Sequence, residues 1–120
     1  MGSASGQRDL VASSWAPEAG DIVWAQFDPQ VGREQAGHRP AVVLTPASYN
    51  RRSGLLICVP VTTKVKGYPF EVPIKGSRDS VALIDHVRSI DWTGRGVTRK
   101  GRASTAELEE IRATLRALVG

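Results

Sequence analysis

Six short runs of β-branched, aromatic and aliphatic residues, separated by turns rich in glycine and proline, limit most strongly what this chain can fold into. The first run, DIVWAQFDP (21–29), alternates its side chains between two faces and ends in Asp-Pro, which is typical of a strand that runs into a turn. Many short strands joined by such turns favour a small β-barrel over a sheet of βαβ units. The other runs are RPAVVLTP (39–46), GLLICVPVTTK (54–64), YPFEVPI (68–74), SVALID (80–85) and HVRSIDW (86–92).

One amphipathic helix is predicted at the end of the chain, over residues 104–119 (STAELEEIRATLRALV). Ser104 and Glu107 have the spacing of a capping box, in which each side chain bonds to the backbone of the other residue. The apolar face of this helix is formed by Leu108, Ile111, Leu115 and Leu118. The predicted fold class is therefore mainly β with a C-terminal α-helix.

The length of 120 residues suits one domain. Residues 1–17 are rich in Gly, Ser and Ala without the apolar block of a signal peptide, so we expect a flexible leader there and a folded domain over 18–120. The longest uncharged stretch, residues 40–50, is far shorter than the roughly 20 apolar residues of a membrane span, so no membrane association is expected. The single cysteine, Cys58, lies in an apolar run, which indicates a buried, reduced thiol and a cytoplasmic protein.

Basic residues are concentrated in the middle of the chain. Residues 51–100 hold ten of the 16 basic side chains but four of the 12 acidic ones. Such an excess suggests an anionic partner, most simply nucleic acid, because each neutralised phosphate releases counterions. A solvated basic surface without a partner would give the same composition, and charge alone does not separate the two.

The segment EQAGHRP (34–40) crowds polar side chains between two apolar runs. Arg39 offers a planar fork of donors that suits phosphate oxygens, although a pair with Glu34 that shapes the loop would also explain it. Glu34 and Gln35 could contact a base or orient the arginine. The imidazole of His38 can move protons near neutral pH, whereas a guanidinium stays protonated, so His38 and Arg39 both remain candidates for proton transfer.

A second polar stretch, KVKGYPF (64–70), interleaves Lys64 and Lys66 with Tyr68 and Phe70. Cations beside aromatic rings suit single-stranded nucleic acid, although Phe70 is expected to point into the core. Two histidines and one cysteine make a metal site improbable, and the sequence has no Walker, GxGxxG or GxSxG motif. No metal and no cofactor are therefore expected.

Three segments taken together resemble the MazF/PemK family of type II toxin–antitoxin endoribonucleases, the mRNA interferases. They are GDIVWAQFDPQVGREQAGHRPAVVLTP, VPVTTKVKGYPFEV and RDSVALIDHVRSIDW, and the resemblance extends over residues 20–120. It implies a small SH3-like β-barrel with a C-terminal helix, a homodimer, and a cognate acidic antitoxin that blocks the substrate groove. It also implies sequence-specific, metal-independent cleavage of single-stranded RNA, in which the 2′-OH attacks phosphorus and leaves 2′,3′-cyclic phosphate and 5′-OH ends.

The resemblance assigns catalysis to Arg39 and Thr62. The residues expected to bind substrate are Glu34, Gln35, His38, Thr63, Lys64, Lys66, Asp85 and His86. Lys64 and His86 stand where the family often has glutamine, so the RNA motif that is cut is left open. The three tryptophans are expected in the core or a dimer interface. The alternative function is a non-catalytic toxin of the same fold that poisons a protein target such as a topoisomerase.

Overall fold

The computed structural model describes residues 15–27, 37–76 and 78–120. Within these ranges the chain forms seven strands, two α-helices and one 3₁₀ turn. In chain order they are β1 (Asp21–Phe27), β2 (Gly37–Val43), α1 (Ala47–Ser53), β3 (Leu55–Thr62), β4 (Glu71–Ile74), β5 (Ser80–Leu83), the 3₁₀ turn Ile84–His86, β6 (Arg88–Asp91), β7 (Thr98–Arg102) and α2 (Thr105–Val119). The prediction of a mainly β fold with a C-terminal helix is confirmed.

The strands form one antiparallel sheet in which β3 has the most neighbours. The spatial order is β4-β5-β3-β2-β1-β7, and β6 also pairs with β3. Residues 55–58 of β3 pair with β6, whereas its last residues, Val61 and Thr62, pair with β5. The end of β3 is therefore fixed by β5, and this end is where the predicted catalytic threonine lies.

Apolar side chains pack on both faces of the sheet. Because side chains alternate along a strand, Val23, Ala25 and Phe27 of β1 enter one buried cluster. Ile22, on the opposite face of β1, packs against a second cluster that contains Val61. Full burial of one such side chain contributes about 1.5–3 kcal/mol, so these two clusters are the main source of stability in the described part of the chain.

Helix α2 covers the second cluster and begins with the predicted capping box. The Ser104 hydroxyl accepts a hydrogen bond from the backbone N–H of Glu107, whose carboxylate accepts one from the backbone N–H of Ser104. Ile111 is fully buried, whereas Leu118, at the end of the predicted apolar face, is 37% exposed. Among the described residues, neither α-helix is both long enough and apolar enough to cross a bilayer.

Two elements were not predicted from the sequence. Helix α1 is seven residues long and mostly polar, so it shows no apolar face; it ends at Gly54, whose φ of 73° lies in the left-handed region that glycine favours. Strand β7 is composed largely of charged residues and lies at an edge of the sheet, where such residues remain in water. Both elements lack the hydrophobic periodicity on which the sequence predictions depend.

Asn50 of α1 is fully buried and fastens the start of the described chain to the sheet. Its side-chain amide donates to the backbone carbonyls of Pro17 (2.8 Å) and Thr45 (2.9 Å) and accepts from the Thr45 hydroxyl (2.6 Å). The Trp92 indole donates to the Asn50 carbonyl at 2.8 Å, and Trp15 packs edge-on against Trp92. Residues 15–17, which were expected to belong to the leader, thus contact the fold, while residues 1–14 lie outside the described residues.

Cys58 is buried in the first apolar cluster, as predicted. Desolvation by burial raises the pKa of its thiol to about 12. The thiol is therefore protonated and unreactive at neutral pH.

Candidate nucleic-acid interface

Two cavities meet at the end of β3 and share Thr62. We name them the Arg39 cavity, with a volume of about 320 Å³, and the Lys64 cavity, with about 680 Å³. The Arg39 cavity is lined by Ile22, Trp24, Arg39, Pro40, Val61, Thr62, Thr63, Ile74, Lys75, Gly76, Arg78, Ser80 and Lys100. The Lys64 cavity is lined by Thr62, Lys64, Lys66, Tyr68, Glu71, Leu83, Asp85 and His86. Seven of the ten predicted site residues therefore line one continuous region.

Thr62 is 5% exposed, yet it borders both cavities. Its Oγ1 accepts a hydrogen bond from the backbone N–H of Lys64 at 3.1 Å, and its backbone pairs with Val81 of β5. A hydroxyl has one hydrogen and two lone pairs, so the bond from Lys64 leaves the hydrogen of Thr62 available to a ligand. The local fold thus presents Thr62 as a positioned hydrogen-bond donor.

Arg39 is half-buried on β2, where it lies opposite Ala25 of β1. The strand begins at Gly37, whose φ of 85° lies in the left-handed region. An added Cβ at Gly37 would meet nothing within 4 Å, so the backbone conformation, and not crowding, accounts for glycine at this position. The glycine lets the chain enter β2 in the register that places Arg39 at the cavity.

The loop that carries Lys64 and Lys66 is held in place by Glu71. The Glu71 carboxylate accepts hydrogen bonds from the backbone N–H groups of Lys66 (3.2 Å) and Gly67 (2.9 Å). The Lys66 ammonium lies 5.9 Å from the centre of the Tyr68 ring, which is 60% exposed. The loop therefore presents a cation beside an aromatic ring, an arrangement that suits the binding of single-stranded nucleic acid.

The 3₁₀ turn that follows β5 also lines the Lys64 cavity, through Asp85 and His86. Ile84 is fully buried and anchors this turn, and its backbone N–H donates to the Phe70 carbonyl at 3.0 Å. Asp85 is exposed and His86 half-buried, with the imidazole Nε2 4.0 Å from Asp85 Oδ1. The turn thus places a carboxylate and an imidazole on the cavity that also holds Lys64.

His38 lies beside the Arg39 cavity without lining it. Its imidazole stacks on the Trp24 ring, with the ring centres 5.4 Å apart and the planes 28° apart. The register of β1 and β2, which pairs Trp24 with Pro40 and Gln26 with His38, makes these two rings diagonal neighbours. The remaining two predicted residues, Glu34 and Gln35, fall outside the described residues.

Ten lining residues of the Arg39 cavity were not assigned to the site from the sequence, and four of these carry a cation or an aromatic ring: Trp24, Lys75, Arg78 and Lys100. Trp24, which was expected in the core or a dimer interface, is half-buried in the single chain, and the Lys100 ammonium lies 5.5 Å from its ring centre. Only the excess of basic residues in the middle of the chain pointed to these cations. The sequence carries no signal that Lys100 of β7 and the residues of the turn between β4 and β5 line the same cavity.

Within residues 15–27, 37–76 and 78–120, no three or more His, Cys, Asp or Glu side chains are grouped so that they could hold a metal ion. The cavities combine cations, hydroxyls, one imidazole and the carboxylates of Glu71 and Asp85. These groups can bind phosphate oxygens and move protons.

Comparisons with known proteins show which family the chain and its fold resemble. Residues 18–119 match the family model described as PemK-like, MazF-like toxin of type II toxin–antitoxin system. The endoribonuclease toxin MazF of Escherichia coli K12 is 52% identical over 111 residues, which cover 92% of this chain and all of that protein. The crystal structure of MazF (Form-I) from Deinococcus radiodurans superposes with a TM-score of 0.83 at 45% identity, covering 88% of this chain and 98% of that one. A MazE–MazF structure (Form-I) from the same organism gives 0.76 at 42% identity, with the same two coverages.

Proposed function

Because the chain belongs to the PemK-like, MazF-like toxins of type II toxin–antitoxin systems, we propose that it cleaves single-stranded RNA, sequence-specifically and without a metal ion. The observation that carries the proposal is that Arg39 and Thr62, 23 positions apart in the sequence, line one cavity. A guanidinium and a hydroxyl donor around one space are suited to the oxygens of a phosphodiester. Cleavage of mRNA at such sites would inhibit translation and growth.

The reaction follows from the chemistry of RNA itself. The 2′-oxygen forms a bond to the adjacent phosphorus while the bond to the 5′-oxygen breaks, which leaves a 2′,3′-cyclic phosphate and a 5′-OH. The proton lost by the 2′-OH must be accepted by the protein or solvent, and the departing 5′-oxygen must gain one. The transition state carries extra negative charge on the phosphoryl oxygens, so donors aimed at them lower the barrier.

Arg39 and Thr62 supply those donors. The planar fork of Arg39 can contact two phosphate oxygens at once, which an ammonium cannot do with the same geometry. Thr62 donates the hydrogen that its bond from Lys64 leaves available. His38, stacked on Trp24 beside the cavity, and Arg39 are the two candidates for proton transfer, and the pH dependence of a His38→Ala variant separates them.

The Lys64 cavity is proposed to bind the bases of the RNA motif. Its lysines can follow the backbone, the Tyr68 ring can stack on a base, and Asp85 can accept hydrogen bonds from base amino groups. Paired bases hide these edges, so a duplex across the motif is expected to resist cleavage. Equal cutting of single-stranded and duplex RNA would contradict this arrangement.

The proposed partners are a second copy of the chain and a labile, acidic antitoxin. The MazE–MazF structures of Deinococcus radiodurans support the antitoxin, and the cations of both cavities suit an acidic segment that orders on binding. The antitoxin is expected to exclude RNA. The proposed compartment is the cytoplasm, which fits the buried, reduced Cys58.

The direct test is to incubate the protein with a long RNA in excess EDTA and to map the new ends. The expected result is a small set of cuts within one short motif, each with a 2′,3′-cyclic phosphate and a 5′-OH. An Arg39→Ala protein from the same preparation excludes contaminating nucleases. Toxicity in cells without RNA cleavage would instead support a toxin that binds a protein target, which no observation here favours.

A further inference from the structure

We propose that the Arg39 cavity holds the nucleotide on the far side of the cleaved phosphate from the Lys64 cavity, and that Lys75 and Arg78 bind its outer phosphate. This inference rests on the proposed function, since it concerns the path of the same RNA strand. It assigns a role to residues that the sequence did not connect with the site.

The first argument is the position of Thr62. An internal phosphodiester has a nucleoside on each side, so an RNA cut between Arg39 and Thr62 must extend from this point in two directions. The Lys64 cavity accommodates one direction, and it touches the Arg39 cavity at Thr62. The strand that continues past Thr62 therefore enters the space bounded by Lys75 and Arg78.

The second argument is the composition of the Arg39 cavity. Its lining includes the apolar residues Ile22, Trp24 and Ile74 together with the cations Arg39, Lys75, Arg78 and Lys100. Its volume of about 320 Å³ lies at the lower end of the range for small-molecule sites, roughly 300–1,000 Å³. Apolar and cationic groups around one space match the two parts of a nucleotide, a flat base and an anionic phosphate.

The third argument concerns ion pairs: the Glu107 carboxylate attracts the charge of Lys75, but among the described residues neither Lys75 nor Arg78 has a carboxylate within ion-pair distance. The nearby Glu107 carboxylate instead accepts hydrogen bonds from the backbone N–H groups of Lys75 (2.7 Å) and Ser104 (2.8 Å). Glu107 thus fastens the backbone of this wall to helix α2 and leaves the Lys75 ammonium without a hydrogen bond to it.

An acidic antitoxin segment could also contact these cations. RNA is favoured because the same cavity contains Arg39 and Thr62, so the cleaved strand must pass it in every turnover. The antitoxin is therefore an outcome of the test and not part of the proposal.

The test compares the double variant Lys75→Gln/Arg78→Gln with Arg112→Gln/Arg116→Gln, which removes the same charge from exposed positions on α2. The hydrogen bond from Lys75 to Glu107 is made by the backbone, so the first variant keeps it. Affinity is measured with an RNA that carries a 2′-deoxy group at the cleaved nucleotide, which removes the nucleophile. Two series of this RNA are each extended by one nucleotide at a time, one at the 5′ end and one at the 3′ end.

In one of the two RNA series, we expect one added nucleotide to lower the Kd of the wild-type protein about tenfold. The Arg112→Gln/Arg116→Gln control should show the same gain in affinity. The Lys75→Gln/Arg78→Gln variant should lose it. The slope of log Kd against log salt should fall by about 0.7 in the cavity variant, because each neutralised phosphate on a single strand contributes about this amount. The Arg112→Gln/Arg116→Gln control should cleave saturating RNA within twofold of the wild-type rate, because both residues lie on α2 and line neither cavity. Melting temperatures of the three proteins verify that all are folded.

Three other results would each contradict the inference. If the wild-type protein cleaves RNA but the cavity variant gains as much from every extension as the control, the inference is wrong while the proposed function stands. If the cavity variant loses antitoxin binding but keeps RNA affinity, the surface belongs to the antitoxin and the inference is again wrong. If the wild-type protein cleaves no RNA, the proposed function fails, and the inference fails with it.

Discussion

The polar groups around Asn50 and those around Thr62 are arranged in opposite ways. Asn50 is fully buried, and its side chain bonds to Pro17 and Thr45 of the same chain. At the cavities, the side chains of Lys75 and Arg78 make no ion pair with any described residue, although they stand beside the apolar surface of the Arg39 cavity. The first arrangement stabilises the fold, because its partners lie inside the chain.

This contrast gives a physical criterion for function. A polar group that the fold requires has its partner in the fold, and loss of either one leaves a buried group unsatisfied. A polar group that serves a ligand has a partner that arrives from outside, so its loss should change activity and leave stability nearly unchanged. Variants in the two regions should therefore separate into two classes, and the predictions below test that separation.

The largest effect is expected at Arg39. Arg39→Lys keeps the charge but loses the planar fork, so it should be nearly as damaging as Arg39→Ala. Loss of one transition-state donor of this kind costs on the order of 100 to 1,000-fold in rate, about 3–4 kcal/mol, while RNA affinity changes much less. Single-turnover cleavage, with circular dichroism to compare folding, measures this. An Arg39→Lys protein with near wild-type activity would reduce Arg39 to a general source of positive charge.

The largest effect on stability is expected at Asn50. Asn50→Ala leaves the Pro17 and Thr45 carbonyls and the Thr45 hydroxyl without this partner, which should lower the free energy of unfolding by about 3 kcal/mol. Ser48→Ala, at an exposed position of α1, is the matched control and should change it by less than about 0.5 kcal/mol.

Urea unfolding at one protein concentration provides the measurement for both variants. Below its melting temperature, Asn50→Ala should cleave RNA at the wild-type rate, since Asn50 lines neither cavity. If a folded Asn50→Ala protein cleaves RNA more slowly than the wild-type protein, the two regions do not divide into one that stabilises the fold and one that serves the ligand.

The same contrast explains what the sequence could predict. Strands β1 to β6, the capping box of α2 and the burial of Cys58 follow from local periodicity and composition, which the sequence displays directly. Helix α1 depends on Asn50, whose partner Pro17 is 33 positions away. Lys100 of β7 and Lys75 and Arg78 of the turn after β4 line the same cavity only because of the tertiary fold, and no local pattern encodes this.

A smaller loss of activity is expected at Thr62. Thr62→Val has nearly the same shape but cannot donate a hydrogen bond, and it also leaves the Lys64 N–H without its acceptor. The rate should fall about 30-fold, which corresponds to about 2 kcal/mol, and Thr62→Ser should restore most of it. Equal rates for Thr62→Val and Thr62→Ser would show that the hydroxyl takes no part in cleavage.

The smallest effect, a change in stability with pH, is expected at Glu107. This residue belongs both to the groups satisfied within the fold and to the surroundings of the Arg39 cavity. Its carboxylate is satisfied within the chain, as Asn50 is, yet it holds the backbone of Lys75 at the Arg39 cavity. Partial burial raises the pKa of this carboxyl, but hydrogen bonds from the Lys75 backbone and from the Ser104 backbone and side chain, together with the charge of Lys75, outweigh burial, so the pKa lies below its usual range. When the pKa of a carboxyl is lower in the folded state than in the unfolded state, its ionised form stabilises the fold at any pH above the pKa of the unfolded state. This stabilisation is lost as the pH falls through the pKa of the folded state.

Glu107→Gln should therefore be less stable than the wild-type protein at pH 7, and the difference should shrink as the pH falls from about 5 to about 3. Because the side chain is partly exposed, we expect a difference below about 1 kcal/mol. Glu109→Gln removes the same charge from an exposed position of α2 and should show no such change. Urea unfolding at four pH values from 7 to 3 measures all three proteins. The same pH dependence in both variants would mean that the hydrogen bonds of Glu107 contribute nothing, and that the wall carrying Lys75 is held by other contacts.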